Sequence, residues 1–193
     1  MKPHVINSTD SFIRGWYIDT SVCDSLLELY LRPTTFKNPG LSHCPDNPVP
    51  DSKDSIDAEI PPHIPVIQPY LKQLKNCMDE YNIELPFSMG KGYSIKESMN
   101  IQHYPIGGGF KVWHYERASW AGAEDRLKDR HLVFMTYLNN VDDGGTEFFH
   151  QKLTIKAEKG LTLIWPADWT HTHKGQISYT KEKTIITGWL SYN

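Results

Sequence analysis

An imidazole and a carboxylate stand two positions apart, as His114 and Glu116, at the end of the run Phe110-Lys111-Val112-Trp113-His114-Tyr115-Glu116. On an extended strand, residues two apart project to the same face. Both groups can therefore reach one point in space. They amount to two members of a 2-His-1-carboxylate facial triad, the arrangement that holds non-haem Fe(II) and leaves coordination positions open. The third member must come from elsewhere. Late in the chain, Trp169-Thr170-His171-Thr172-His173-Lys174-Gly175 offers His171 and His173, and their spacing does not choose between them. His150 closes Glu147-Phe148-Phe149-His150 beside a turn and suits a surface or strand-end role.

The elements that must position these groups fall in two parts. Residues 5–18 predict an opening strand or two. Ser21-Val22-Cys23-Asp24 predicts a helix start, a serine cap with an acid three residues later. Val22, Leu26, Leu29 and Tyr30 share a face of that helix, and Pro33 stops it. Residues 33–62, rich in Pro, Asp, Ser and Asn, read as a long loop that could hold a short strand and serve as a lid or a surface excursion. A second helix is predicted over about Ile64–Tyr81, with Tyr70, Leu71, Leu74, Met78 and Tyr81 as a core-packing stripe.

From Tyr93 onward the pattern is β. Predicted strands are Ser94–Tyr104, Phe110–Tyr115, Arg130–Asn139, Glu147–His150, Leu153–Ala157, Leu161–Trp165, Gly175–Ser178 and Thr184–Tyr192. A glycine turn at Gly107-Gly108-Gly109 links the first two, and Asp142-Asp143-Gly144-Gly145 predicts another tight turn. Short antiparallel strands after helices imply a mainly β fold, a jelly-roll or cupin-like barrel buttressed by N-terminal α-helices. Residues 1–193 read as one domain, with a helical and loop part to about 92 and a barrel core from about 93.

The net charge of −3 gives no electrostatic case for nucleic acid or an anionic membrane. Cys23, Cys44 and Cys77 are far apart and form no CxxC, which argues against a zinc ribbon and for a reducing compartment. The polar start, Met1–Asp10, has no apolar signal core, no apolar run has transmembrane length, and Ser191-Tyr192-Asn193 is no retention signal. A cytoplasmic location is expected.

Over residues 93–192 the motifs resemble a known family. Gln102-x-Tyr104-Pro105, the glycines and His114-x-Glu116 come first. Arg130-His-Leu-Val-Phe-Met-Thr-Tyr137-Leu-Asn-Asn140 and Asp143-Gly-Gly-Thr-Glu-Phe148 follow, and Lys159-Gly160, His173-x-Gly175, Lys183 and Trp189 complete the order. The sequence resembles the prolyl 4-hydroxylase-like branch of the Fe(II)/2-oxoglutarate dioxygenases, whose fold is the double-stranded β-helix. In that family the distal histidine is followed two residues later by Gly and ten later by Lys. His173 has both Gly175 and Lys183, whereas His171 has Lys181 but no such glycine. The resemblance thus implies His114, Glu116 and His173 as metal ligands. It implies Lys183 as the partner of the 2-oxoglutarate C5 carboxylate, assisted by Tyr137, and Tyr104 as a cosubstrate contact near the metal. The chain departs from the family's usual His-x-Asp by carrying glutamate.

The resemblance implies Fe(II), 2-oxoglutarate and O2 as cofactors, with ascorbate as a supporting reductant. The implied substrate is a prolyl residue in a peptide or protein, with another side chain or a small molecule as the alternative. Arg117, Trp120 and the run 123–130, with the 33–62 loop, would supply a substrate lid. A bacterial or viral source is expected. A zinc hydrolase also uses two His and a Glu, but it leaves Lys183 and Tyr137 unexplained and the chain has no HExxH. A non-catalytic cupin-like module would cluster its histidines earlier.

Overall fold

The computed structural model describes residues 1–6, 11–40, 52–90, 92–117 and 124–193. In chain order the elements are β1 (Lys2–His4), β2 (Arg14–Tyr17), α1 (Thr20–Leu31), β3 (Asn38–Pro39), β4 (Lys53–Asp54), β5 (Ile56–Ile60) and α2 (Gln68–Glu84). Then come β6 (Tyr93–Ser94), β7 (Met99–Tyr104), β8 (Gly109–Phe110), α3 (Asp125–Lys128), β9 (Arg130–Tyr137) and β10 (Val141–Phe148). β11 (Leu153–Ala157), β12 (Leu161–Pro166), β13 (His173–Gly175) and β14 (Lys183–Tyr192) complete the chain.

The fold is mainly β, as expected. One large sheet runs β1-β2-β12-β9-β14-β7-β5-β3, with β6 also on β14, and a smaller sheet runs β11-β10-β13. The long strands β9 and β14 sit centrally, paired antiparallel over Ile185↔Tyr137 to Leu190↔Leu132. Both are buried on both faces, and the period-2 alternation sorts their side chains. Leu132, Phe134, Ile186 and Leu190 join a core with Leu26, Tyr70, Leu74 and Tyr81 of α1 and α2. Val133, Met135, Tyr137 and Ile185 join a second core with Phe148, Ile155 and Trp165 inside the barrel. Polar residues on the helix-facing side are paired: the Tyr70 hydroxyl and Thr136 Oγ1 are 3.0 Å apart, and Thr136 Oγ1 and Thr162 Oγ1 2.7 Å.

This packing gives a stability prediction. Leu74 is fully buried in the helix–sheet core. Leu74→Ala is expected to cost about 2–5 kcal/mol, read as a lower urea midpoint at unchanged slope.

Several local expectations are corrected. Helix α1 is capped by Asp19, whose Oδ1 accepts from Ser21 N at 2.9 Å, so the helix starts at Thr20 and Ser21 is not the cap. An aspartate two residues earlier supplies the carboxylate acceptor for the first free amides. Helix α2 starts at Gln68 and reaches Glu84; Pro65–Ile67 form a 3-10 turn ahead of it. Asp142–Gly145 is no turn, for it lies inside β10, and the chain reverses at 138–140. The glycines serve a bulge, where the β10–β11 register shifts between Val141 and Thr146. A Cβ on Gly145 would lie 2.3 Å from Ile155 O, and one on Gly144 2.6 Å from Val141 Cγ1.

The 33–62 segment is more than loop. β5 pairs with β7 from Ile56↔His103 to Ile60↔Met99 and extends the large sheet toward its edge strand β3. Residues 41–51, Cys44 included, lie outside the described residues; Cys23 and Cys77 are buried free thiols. The predicted strand Phe110–Tyr115 shortens to β8, paired with β4 at Lys53 and Asp54, and one isolated bridge at His114. Gly107, at φ +81°, takes the left-handed turn position that leads into it. Among the described residues no helix is long and apolar enough to cross a membrane.

Candidate metal centre and its cavity

The two histidines meet through the backbone. His114 N donates to His173 O at 3.0 Å, and His173 N donates to His114 O at 2.9 Å, a reciprocal antiparallel pair. Glu116 N donates to Ala167 O, fixing the carboxylate's residue against the end of β12. The pair thus joins the segment that follows β8 to β13, so residues 59 apart in sequence face one another.

Ligand atoms of His114, Glu116 and His173 all lie within 4.8 Å of one another. Glu116 Oε1 is 3.6 Å from His114 Nε2 and 3.7 Å from His173 Nε2. Each imidazole is oriented from its far side: His114 Nδ1–H donates to Val112 O and His173 Nδ1–H to His171 O, both at 2.9 Å. A carbonyl can only accept, so Nδ1 carries the proton and, in the neutral ring, Nε2 turns a lone pair to the centre. Two lone pairs and a carboxylate oxygen then converge with no donor between them, an arrangement that a cation relieves. Imidazole and carboxylate suit Fe(II) and its first-row neighbours. The donor set therefore fits the iron that the resemblance implies.

The surroundings favour the metal-competent protonation states. Burial, with His114 close by, lowers His173 to about 3, so it is neutral at physiological pH. Burial opposes the Glu116 charge, yet the His114 imidazole close by and the Arg130 guanidinium hold its carboxyl well below the usual range. Phe110 stacks on His114 at 3.6 Å between ring centroids, and Trp165 meets His173 edge-on at 5.1 Å. Both imidazoles are thereby held in place as well as dried.

His171 is turned away. Its Nε2–H donates to Ser11 O at 2.7 Å, and Thr170 Oγ1 lies 3.0 Å from its Nδ1. His150 is exposed and meets Phe149 and Trp169 edge-on.

The triad opens on a cavity of about 670 Å³ that also holds Tyr104, Tyr137 and Lys183. Lys183 is 4% exposed, and its ammonium donates to Gln176 O at 2.9 Å. Burial lowers it to about 8, with Asp143 pulling the other way. Glycines make room for it: a Cβ on Gly175 would lie 3.2 Å from Nζ, and one on Gly144 3.3 Å from Cδ. The Tyr137 hydroxyl is 2.6 Å from Thr146 Oγ1, and Tyr104 donates to Gln102 Oε1 at 2.6 Å. A buried ammonium with protons to spare can pair with an anion in such a cavity.

Lys53 and Glu97 on the cavity wall were not picked out by sequence reasoning. Lys53 is 3% exposed and pairs with Asp57 at 2.6 Å, Nζ lying 5.6 Å from the Phe110 ring centroid. It comes from the Pro- and Asp-rich segment, where no periodicity pointed inward. Arg130 engages Glu97 through Nε and Nη2 at 2.9 and 2.8 Å. The residue spacing carried no hint that Glu97 and Arg130 meet.

The predicted lid is divided. Arg126 and Leu127 line the cavity, Arg126 reaching Glu97 at 2.9 Å. Arg117 donates through Nε to Arg130 O and through Nη1 to Asp168. Trp120 and Ala123 lie outside the described residues.

Comparison with known proteins gives a consistent placement. Residues 99–191 match the family model described as the 2OG-Fe(II) oxygenase superfamily. No curated protein matches the sequence. Among solved structures the chain is similar to the viral collagen prolyl hydroxylase of Paramecium bursaria Chlorella virus-1 in its 2OG complex, with TM-score 0.71 at 18% identity over 95% of this chain and 98% of that one. It is also similar to a Pseudomonas putida prolyl-4-hydroxylase, with TM-score 0.69 at 15% identity over 95% and 94%. A Trichoplax adhaerens prolyl hydroxylase, solved with a hypoxia inducible factor oxygen degradation domain peptide, gives TM-score 0.70 at 15% identity over 95% and 84%. At these identities the likeness carries the fold, the double-stranded β-helix.

Proposed function

We propose that the chain is a 2OG-Fe(II) oxygenase, as the family match over residues 99–191 supports, that His114, Glu116 and His173 hold its Fe(II) and that it hydroxylates a prolyl residue of a peptide or protein. In this reading 2-oxoglutarate and O2 are consumed and succinate and CO2 are released. The observation that carries it is the convergence of the three donor atoms in one cavity with a buried lysine.

The iron, when bound, supplies O2 activation coupled to decarboxylation of 2-oxoglutarate, and this drives oxidation of a substrate C–H bond. The chain's own residues bind and orient. Lys183 pairs with the distal carboxylate in a dry pocket, where a charge-assisted bond is stronger than in water. The Tyr137 and Thr146 hydroxyls lie on the same cavity wall and can add a hydrogen bond. Tyr104 confines the cosubstrate against Lys183, whose Nζ is 5.2 Å from its ring centroid. Phe110, Trp165 and Phe148 keep water from the imidazoles. Added ascorbate is expected to sustain turnover. A peptide substrate is supported by the prolyl hydroxylase neighbours, one of them peptide-bound. We expect a cytoplasmic setting, on the ground that Cys23 and Cys77 are free thiols.

The reading is tested by incubating the protein with Fe(II), 2-oxoglutarate and a panel of proline-containing peptides. Succinate should form, with gain of one oxygen on a peptide prolyl residue by mass spectrometry. Succinate without any hydroxylated peptide, and a small molecule that is hydroxylated instead, would overturn the substrate class.

A pH dependence follows from Lys183. Its charged form pairs with the carboxylate, and its pKa lies at about 8 in the protein without ligand. The affinity for 2-oxoglutarate is expected to be flat below that pH and to fall as pH rises through it, because more of the lysine must then be protonated on binding. Calorimetric titration at several pH values measures this; an affinity that rises above pH 8 would contradict it.

A further inference from the structure

Glutamate in place of the family's aspartate poses a problem of geometry. The extra methylene lets a carboxylate swing and offer a metal either one oxygen or both. The structure gives the two oxygens of Glu116 different surroundings. Oε1 faces the two imidazoles, at 3.6 and 3.7 Å. Oε2 faces away and accepts from Trp189 Nε1 at 2.9 Å, with Arg130 Nη1 3.4 Å from it. Arg130 Nη1 also donates to the Glu116 backbone carbonyl at 3.2 Å.

These donors are themselves held. The Arg130 guanidinium lies 3.5 Å from the Trp189 ring centroid, within cation–π range. Its remaining edge grips Glu97 at 2.8 and 2.9 Å, and the side chains of Arg130 and Glu97 are 8% and 7% exposed. A buried arginine with two carboxylate partners and an aromatic platform has little freedom to move.

Resting on the metal assignment above, we propose that Trp189 and Arg130, anchored by Glu97, are positioning residues that hold Glu116 Oε2 off the metal, so that the longer glutamate presents Oε1 alone. The indole N–H sits at the reach of a glutamate, and an aspartate at 116 would have to give up either that bond or the centre. Trp189 thus limits the Glu116 carboxylate to one ligand oxygen. Partners that orient a metal ligand are worth about 10–100-fold in metal affinity.

The test uses Co(II) titration of the full-length, metal-free protein, followed by the cobalt visible bands, with melting of the metal-free form as a folding control. Trp189→Phe keeps the ring and removes the N–H. It is expected to weaken Co(II) binding by about tenfold or more and to change the band pattern as Oε2 is released to the ion. An aspartate at 116 that still reaches the ion has given up the indole bond, so adding Trp189→Phe to Glu116→Asp should cost little more. The two losses should therefore fail to add. Wild-type affinity and bands in Trp189→Phe, or losses that add in the double variant, would overturn the proposal. Arg130→Lys keeps the charge but not the fork and supplies an independent reading should Trp189→Phe melt early; wild-type affinity and bands there also count against it. A wild-type protein that binds no Co(II) would instead defeat the metal assignment itself.

Discussion

Replacing His173 with alanine is expected to abolish succinate formation and to weaken metal binding by well over a hundredfold, whereas His171→Ala should retain both. The two residues are separated by one threonine, and the contrast comes from their hydrogen bonds. His173 donates Nδ1–H to His171 O and aims Nε2 at Glu116; His171 spends its Nε2–H on Ser11 O. Loss of a mere orienting partner costs a metal site about 10–100-fold, so loss of a ligand must cost more. His171→Ala removes the hydrogen bond to Ser11 O, worth about 0.5–1.5 kcal/mol of stability. A lowered melting temperature with metal affinity intact is therefore the expected result. Calorimetric metal titration beside thermal melting separates the two, and the reverse pattern would exchange the two assignments.

Lys183→Ala should leave the metal in place and remove the cosubstrate's anchor. Truncating one member of a buried, hydrogen-bonded charge pair costs about 2–5 kcal/mol, which corresponds to about a 30- to 5,000-fold rise in Kd for 2-oxoglutarate. The cavity supports a large value, because Lys183 is nearly inaccessible and, among the described residues, its ammonium donates to Gln176 O alone. Direct titration of 2-oxoglutarate into metal-loaded protein reads the change. An unchanged Kd would remove Lys183 from its role and direct attention to Lys53, the other buried ammonium on the cavity wall.

How much of this was legible in the sequence depends on what each signal measured. The His-x-Glu spacing needed only two side chains on one face, and that survives although most of the predicted strand does not form: a single bridge to His173 suffices. The choice between His171 and His173 was beyond spacing, since the 3-10 turn at Trp169–His171 breaks the extended run that would have put both on one face. The helices were readable because 3.6-residue periodicity reports burial directly. Gly144-Gly145 misled because glycine marks any close backbone approach, and here it accommodates a bulge inside β10. In the 33–62 segment a short strand was allowed for but could not be placed. Strand β5 is a strand because β7 lies beside it, a tertiary fact that composition does not carry. The same holds for the Glu97–Arg130–Trp189 group around Glu116, whose members meet only once β7, β9 and β14 are aligned.

The most direct measurement is anaerobic addition of 2-oxoglutarate to the Fe(II)-loaded protein, followed in the visible. Chelation of the keto acid on a three-ligand iron site is expected to raise a weak charge-transfer band that saturates with 2-oxoglutarate, and that is absent in His173→Ala and shifted to higher concentration in Lys183→Ala. If Fe(II) and 2-oxoglutarate give no band with the wild-type protein, or the same band with His173→Ala, then His114, Glu116 and His173 do not form the centre described.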